Sequence, residues 1–498
     1  MNVWQFLADA AATSRRAEAV RHGAQRLSYA DAEASARGLA ARLRTHGVRA
    51  GDRVACLMDN GIDHWLAYFA VAAAGAVLVS LNTRLSPAEL RTILAHSDST
   101  LLMHDPAHAA RAAELGTPPM LVVATAVGPA DFAPTPAAAD TPAQLYYTSG
   151  TTGAPKGVVL THRNVCTHAL AAVQELALGE RDTWAHVAPM FHLADAWATF
   201  AITAAGGAHT FLPRFDARAA LDLLVAERVT ITNLVPTMLN LMVAERDAAG
   251  RDYALRTMLS GGAPIAPEVV RRILTTFGCD YVQTYGMTET SPYLTLSLLS
   301  PELQRLPPDE QLRWKCKTGR PFLGVELRVV DEHGRPVPAD GRSVGEIRVR
   351  GTTVTPGYWQ DPAATAAAFD ADGFLRTGDL ATLDAHGYVD IVDRAKDVIK
   401  TGAESVFSIE VENVLYTHPA VLECAVFGVP DPLWGERVCA AVVLRPGAAA
   451  TEAELIAFCR ERIAHYKAPK QVRFLDALPR TGSGKITKKA LRDAARET

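Results

Sequence analysis

The stretch Tyr147-Thr148-Ser149-Gly150-Thr151-Thr152-Gly153-Ala154-Pro155-Lys156-Gly157 packs four aliphatic hydroxyls, three glycines and one lysine into a short run. Glycine lets a backbone turn sharply and approach a ligand closely. Successive backbone N–H groups in such a turn form a concave anion site. Thr148, Ser149, Thr151 and Thr152 add side-chain donors, Gly150 and Gly153 allow the turns, and Lys156 brings a positive charge. The run therefore suits a polyphosphate. A solvated Gly/Ser/Thr surface loop has a similar composition, but the lysine and the apolar flank at 145–147 set this one apart.

The run is not a Walker A loop, which needs Gly-x4-Gly-Lys followed by Ser or Thr. Gly157 follows Lys156, and no Gly-Lys pair occurs here. Thr481-Gly482-Ser483-Gly484-Lys485-Ile486 fails too, with Pro479 in place of the first glycine and Ile486 in place of the hydroxyl. Both failures argue against a P-loop kinase or GTPase. Five more motifs follow downstream: Ser260-Gly261-Gly262-Ala263-Pro264, Tyr285-Gly286-Met287-Thr288-Glu289, Arg376-Thr377-Gly378-Asp379, Asp393-Arg394-Ala395-Lys396-Asp397 and Pro479-Arg480-Thr481-Gly482-Ser483-Gly484-Lys485. In this order, and with the phosphate run, they resemble the signature of the acyl-adenylate-forming superfamily. That superfamily holds acyl-CoA synthetases, adenylation domains of peptide synthetases and luciferases. The resemblance covers nearly the whole chain, and six ordered motifs make coincidence negligible.

The chain has 498 residues, enough for several domains and a large core. Its net charge is −4 and it has no long basic stripe, which argues against nucleic acid as a partner. Seven scattered cysteines with no Cys-x-x-Cys pair argue against disulfides and structural zinc, and for a reducing, cytoplasmic setting. Met1-Asn2-Val3-Trp4-Gln5 lacks the features of a signal peptide. The apolar stretch 65–81 reads as a buried helix running into a strand at 77–81, not as a membrane span. Residues 126–143, rich in alanine and proline, read as a surface linker.

Helical and strand patterns alternate along most of the chain. Helices are expected at 162–176 with Thr161 as N-cap, and at 217–227, 236–243 and 267–277, with strands at 229–234, 256–259 and 279–284. Such alternation predicts layered α/β sheets with ligand loops at strand ends. After Asp379 the texture becomes that of a compact α+β segment. A strand is expected at 387–392, helices at 408–416 and 452–465, and strands near 424–429, 438–444 and 471–475. The resemblance implies a large multi-sheet N-terminal adenylate-forming domain (1–393), a hinge (394–396) and a small mobile C-terminal lid (397–498).

The resemblance also implies a reaction. A carboxylate attacks the α-phosphate of ATP, giving an acyl-adenylate and pyrophosphate, and a thiol, usually of CoA, then displaces AMP. Such attack at phosphorus is catalysed mostly by positioning and charge stabilisation. By resemblance, Thr148, Ser149, Gly150, Thr151, Thr152, Gly153 and Lys156 hold the β- and γ-phosphates, and Thr288 meets the α-phosphate. Glu289 helps hold Mg²⁺, a hard cation that takes oxygen ligands. Tyr285 stacks on adenine within Tyr285-Gly286-Met287, while Gly262, Ala263 and Pro264 line the base pocket. Asp379 accepts the ribose hydroxyls with help from Arg394. Lys485 reaches from the lid to bridge acyl carboxylate and nucleotide, so its acetylation would remove the decisive charge. The hinge position falls on Lys396. Rotation there withdraws Lys485 and brings Gly402, Ala403 and Glu404 to the thiol channel. Many relatives read Gly-Gly-Glu at this loop, so the methyl of Ala403 bears on the width of that channel.

Pro189-Met190-Phe191-His192 matches the family's aromatic motif beside the acyl site, with His192 as the gate. Amino-acid-activating relatives carry an aspartate where His192 stands, which argues against an amino acid substrate. Trp197, Val235 and Gln283 are candidate pocket walls, together with Phe200, Asn233, Met238 and Met287. The mix is apolar and favours a monocarboxylic acid with an apolar tail. The segment 290–318 resembles an insertion of medium- and long-chain fatty acyl-CoA synthetases. A cinnamate- or benzoate-type acid fits nearly as well, and loading of a separate carrier protein stays open. A homodimer is compatible with the sequence.

Overall fold

The computed structural model describes the chain except residues 125–129, 150–154, 264, 266, 403, 481–485 and 497–498. The chain divides into two compact units. The first comprises Met1–Pro264, Val269–Glu326 and Val349–Leu375, and the second Ile265–Glu268, Leu327–Arg348 and Arg376–Thr498.

In the first unit, alternating helices and strands build two sheets. One runs in the order Arg320–Pro321, Tyr293–Leu296, Asp280–Gly286, Thr257–Gly261, Ile231–Leu234, Thr183–His186, Ala208–Phe211, Glu18–His22, Gln25–Ser28. Its strands are parallel from Asp280–Gly286 to Glu18–His22 and antiparallel outside that range. The other runs Met120–Val122, Ser99–His104, Arg53–Leu57, Val77–Ser80, Pro142–Ser149, Pro155–Thr161, and only its last pair is antiparallel. Parallel neighbours require crossovers, and the helices provide them. Pro236–Ala244, with proline in its first turn, and Pro267–Phe277 join successive strands of the first sheet.

Strands covered on both faces read as continuous apolar runs, and Val77–Ser80 and Ile231–Leu234 are buried at every position. The apolar stretch 65–81 resolves into the core helix Ile62–Ala73 and the strand Val77–Ser80. Among the described residues no helix is long and apolar enough to cross a membrane. Thr161 caps the helix His162–Glu175 as expected: Asn164 N donates to Thr161 Oγ1 at 3.1 Å, and Thr161 N donates to Asn164 Oδ1 at 2.9 Å.

In the second unit, Gly435–Leu444 lies between Val421–Asp431 and Gln471–Phe474 and also pairs with Ile399–Thr401, which pairs with Glu404–Val406. Strand side chains alternate between faces. Val426, Val438, Ala440 and Val442 pack with Val411 and Leu415 of the helix Ser408–Tyr416 and with Leu455 and Cys459 of Glu452–Arg460. Phe427, Val429, Cys439 and Ala441 face the other way and pack with Leu491 of the helix Lys488–Arg496.

Beyond shifts of a few residues at strand ends, three departures from expectation stand out. The helix from Glu452 ends at Arg460, not 465, because the chain turns to set Ile463 against the core. The linker stops before Pro142, which opens a strand, a position where the missing N–H costs least. Tyr147, Thr148 and Lys156 belong to strands and not to a loop, since Pro142–Ser149 and Pro155–Thr161 pair up to Ser149 and Pro155.

Candidate active site

Thr148 stands opposite Lys156 on this hairpin. Gly150, Thr151, Thr152 and Gly153, which connect its strands, lie outside the described residues. Gly157 has little space for a side chain, because a Cβ would come within 3.0 Å of the Tyr147 ring and 3.3 Å of Trp359.

The segment 355–359 straps this hairpin to the turn carrying Glu289. Trp359 N donates to Gly157 O at 2.7 Å, Val159 N to Gly357 O at 3.1 Å, and Thr355 N to Glu289 O at 2.7 Å. The Tyr358 hydroxyl donates to Glu289 Oε1 at 3.0 Å. Lys156 Nζ sits 5.1 Å from the centroid of the same ring. Burial and the adjacent Glu289 carboxylate push the Tyr358 phenol upward, so it stays protonated and donates.

Tyr285 and Gly286 end the strand Asp280–Gly286, Met287 follows, and Thr288 and Glu289 open the short 3-10 turn Thr288–Thr290. Glu289 is buried. Gly286 is obligatory, because a Cβ would fall 1.8 Å from Pro292 O. On the neighbouring parallel strand Thr257–Gly261, the chain leaves through Gly262 at φ +85° into Ala263. Pro264 lies outside the described residues. Gln283 ties the two strand ends together, its Nε2 donating to Ala263 O at 3.2 Å and its Oε1 accepting from Tyr281 OH at 2.5 Å. Both motifs thus occupy carboxyl ends of parallel strands, where open α/β sheets bind ligands.

His192 caps the helix Leu193–Ala204, accepting from Ala194 N at 3.2 Å. Trp197 is buried one turn in. Its ring lies 5.0 Å from Tyr293 and 5.7 Å from His168, which stacks on Phe322 at 5.0 Å. Trp197 Nε1 and Asn233 Nδ2 both donate to Ala194 O, at 3.2 and 2.8 Å. Val235 is half-buried and precedes the helix Pro236–Ala244. Burial lowers His168 to about 3, so it adds no cation to this wall. Asp195, fully buried, anchors a polar chain. Its Oδ2 meets His186 Nδ1 at 2.5 Å, His186 Nε2 meets His209 Nδ1 at 3.0 Å, and Trp184 Nε1 donates to Oδ1 at 3.3 Å. Burial raises Asp195 and lowers His186 to about 3, which favours a neutral pair.

In the second unit Asp379 pairs across the strands Leu375–Leu383 and Val389–Arg394 with Arg394, whose Nε lies 2.9 Å from Asp379 Oδ1. Asp379 is buried, whereas half of the Arg394 side chain is exposed. Lys396 is exposed in the turn that follows. Gly402, at φ +64°, follows the strand Ile399–Thr401 and donates through its N to Trp434 O at 2.6 Å, and exposed Glu404 opens the paired strand Glu404–Val406. Ala403 and Lys485 lie outside the described residues, and Arg480 pairs with Ile486 on either side of 481–485. Just beyond, Lys488 Nζ lies 2.8 Å from Glu412 Oε1 and donates to Ser408 Oγ at 2.5 Å. Ser408 Oγ donates in turn to Asp393 Oδ1 at 2.9 Å, and Arg492 Nη2 to Asp397 Oδ1 at 2.6 Å. Sequence reasoning missed Tyr358 altogether and gave Lys488 no role of its own. The only signal for Tyr358 was an aromatic pair after a glycine.

Glycines without space for a side chain at parallel strand ends, with a lysine and a buried carboxylate beside them, define an α/β enzyme suited to an anionic ligand. Residues 7–359 match the model of the AMP-binding enzyme family, and 410–485 that of the AMP-binding enzyme C-terminal domain. A long-chain-fatty-acid–CoA ligase of Thermus thermophilus is 40% identical over 519 aligned positions, covering 99% of this chain and 95% of that protein. A feruloyl-CoA synthase of an Amycolatopsis species is 41% identical, covering 96% of each chain. The crystal structure of ATP-bound MatB from Rhodopseudomonas palustris aligns with a TM-score of 0.89 at 32% identity, covering 100% of this chain and 99% of that one. The chain belongs to the AMP-binding enzyme family and is an enzyme of the acid–thiol ligase class.

Proposed function

We propose that the protein is an ATP-dependent carboxylic acid–CoA ligase. It adenylates a monocarboxylic acid, releases pyrophosphate, and passes the acyl group to CoA with release of AMP. The observation that carries this reading is the Lys156–Tyr358–Glu289 arrangement, which sets a cation and a buried carboxylate beside the hydroxyl-rich run. Lys156, Thr148 and the residues at 149–153 hold the β- and γ-phosphates, Thr288 the α-phosphate, and Tyr285 with Gly262, Ala263 and Pro264 the adenine. Asp379 and Arg394 take the ribose hydroxyls. Glu289 fits Mg²⁺, because a carboxylate fixed by a phenol is a hard, oriented oxygen donor. With ATP bound, the ion would neutralise phosphate charge. Lys485 stabilises charge developing as the acid attacks. The lid 397–498 then turns about 394–396, with Lys396 as pivot, and Gly402, Ala403 and Glu404 border the thiol channel. The seven unpaired cysteines support a cytoplasmic setting.

The packing near His192 is apolar and supports an apolar tail: one turn into the helix that His192 caps, Trp197 packs with Tyr293 and with a neutral His168, which stacks on Phe322. We favour a medium- or long-chain fatty acid, as in the Thermus relative. The ring packing also suits an aryl acid of the feruloyl type, which is the second reading. AMP and pyrophosphate release with a panel of fatty and aryl acids, with and without CoA, tests both. Absence of AMP with every acid would sink the enzyme reading, and adenylate accumulating without thioester would favour loading of a carrier protein.

A further inference from the structure

We propose that Tyr358 is a positioning residue for the nucleotide-phosphate site, holding the Glu289 carboxylate with its hydroxyl and the Lys156 ammonium with its ring face. The proposal rests on the roles given above to Glu289 and Lys156.

The geometry divides the ring's work in two. The hydroxyl donates to Glu289 Oε1 at 3.0 Å, which orients a buried carboxylate. The face lies 5.1 Å from Lys156 Nζ, within the range of a cation–π contact. One ring thus contacts both charges, the ammonium through its face and the carboxylate through its hydroxyl, and holds each where it is needed at the proposed phosphate site.

The ring in turn has little freedom. Tyr358 pairs with Val158 in an antiparallel bridge, and its N–H donates to Thr365 Oγ1 at 2.9 Å. The preceding Gly357, at φ +146°, has no space for a Cβ, which would lie 2.4 Å from Thr365 Cγ2. Thr355 N holds Glu289 O, and Trp359 N holds Gly157 O. One short strap thus fixes both backbones from which Lys156 and Glu289 project.

The test is ATP binding by calorimetry over a titration of free Mg²⁺, with no acid present, for wild type, Tyr358→Phe, Tyr358→Leu and Glu289→Gln. Outer-shell partners of metal ligands typically contribute about ten- to hundredfold in metal affinity. Tyr358→Phe should therefore move the Mg²⁺ midpoint up by about tenfold, while leaving ATP affinity in excess chelator unchanged. Tyr358→Leu should move the midpoint equally and also weaken metal-free ATP binding by about threefold, through loss of the face beneath Lys156. A merely structural role predicts that Tyr358→Phe weakens ATP binding equally with and without Mg²⁺, and that result would overturn the proposal. An unshifted midpoint in Tyr358→Phe beside a shifted one in Glu289→Gln would overturn it too, leaving the reading of Glu289 intact. An unshifted midpoint in Glu289→Gln would show that the reading of Glu289 itself has failed.

Discussion

Replacing Lys488 with methionine tests how the helix beyond Lys485 is anchored. The Lys488 and Glu412 side chains are 16% and 15% exposed and lie 2.8 Å apart, so the pair is nearly buried. Removing one partner of a buried pair leaves an uncompensated charge and costs about 3–5 kcal/mol; the residual exposure here puts the expectation near the lower bound. Burial raises both Glu412 and Asp393 above the usual carboxylate range, and Lys488 opposes both shifts. A raised carboxyl binds its proton more tightly in the folded chain. Its stabilising contribution is complete below the unfolded value and is lost as pH rises through the folded one. Without Lys488 both groups rise further, so the deficit of Lys488→Met against wild type should be larger at neutral than at acid pH. Hydrogen exchange on the full chain reads the opening of Lys488–Arg496 and Ser408–Tyr416 directly. Adding Glu412→Leu should recover most of the loss, because an apolar replacement of both partners is often neutral. Unchanged protection of both helices at both pH values would refute the reasoning. Failure of the double variant to recover would show that the loss is not electrostatic.

Lys485→Ala should abolish adenylation yet largely spare thioester formation from supplied acyl-adenylate, and acetylation of Lys485 should do the same; equal loss of both steps would show that the lysine has another role. Asp379→Asn removes the carboxylate paired with Arg394 and should weaken ATP binding by about 1.5–3 kcal/mol, roughly ten- to hundredfold. An unchanged KM for ATP would contradict its place at the ribose. Asp195→Asn disturbs the buried His186–His209 chain behind the helix capped by His192. It should destabilise the fold by about 1–3 kcal/mol and raise KM for the acid, not for ATP; a parallel rise in both would detach Asp195 from the acyl wall.

What the sequence made legible follows the range over which each signal acts. Pro267–Phe277 and Ser408–Tyr416 are found at the expected boundaries because a proline in the first turn or a short apolar period is local. The helix after Glu452 was overextended, since nothing before Pro469 breaks its pattern. No strand is expected over Pro142–Ser149, because the prolines leading into it read as linker, and only its pairing with Pro155–Thr161 shows where it begins. Glycines such as Gly286 were legible because no other residue fits against Pro292 O, so sterics alone dictate the type.

Partnership is a different kind of information. Tyr358 acts through a carboxylate 69 positions away, and Lys488 through a hydroxyl 80 positions away. Neither residue differs in type from an ordinary core tyrosine or a surface lysine. Their meaning comes from which charge each meets once the chain has folded. The residues that touch a nucleotide must be of particular types and so leave motifs. Those that hold such residues in place need only reach them, and several types can reach. Positioning residues therefore leave little trace in a single sequence and have to be read from bonds. In this chain the bonds place one such residue between Glu289 and Lys156, and another, Lys488, between Glu412 and Ser408.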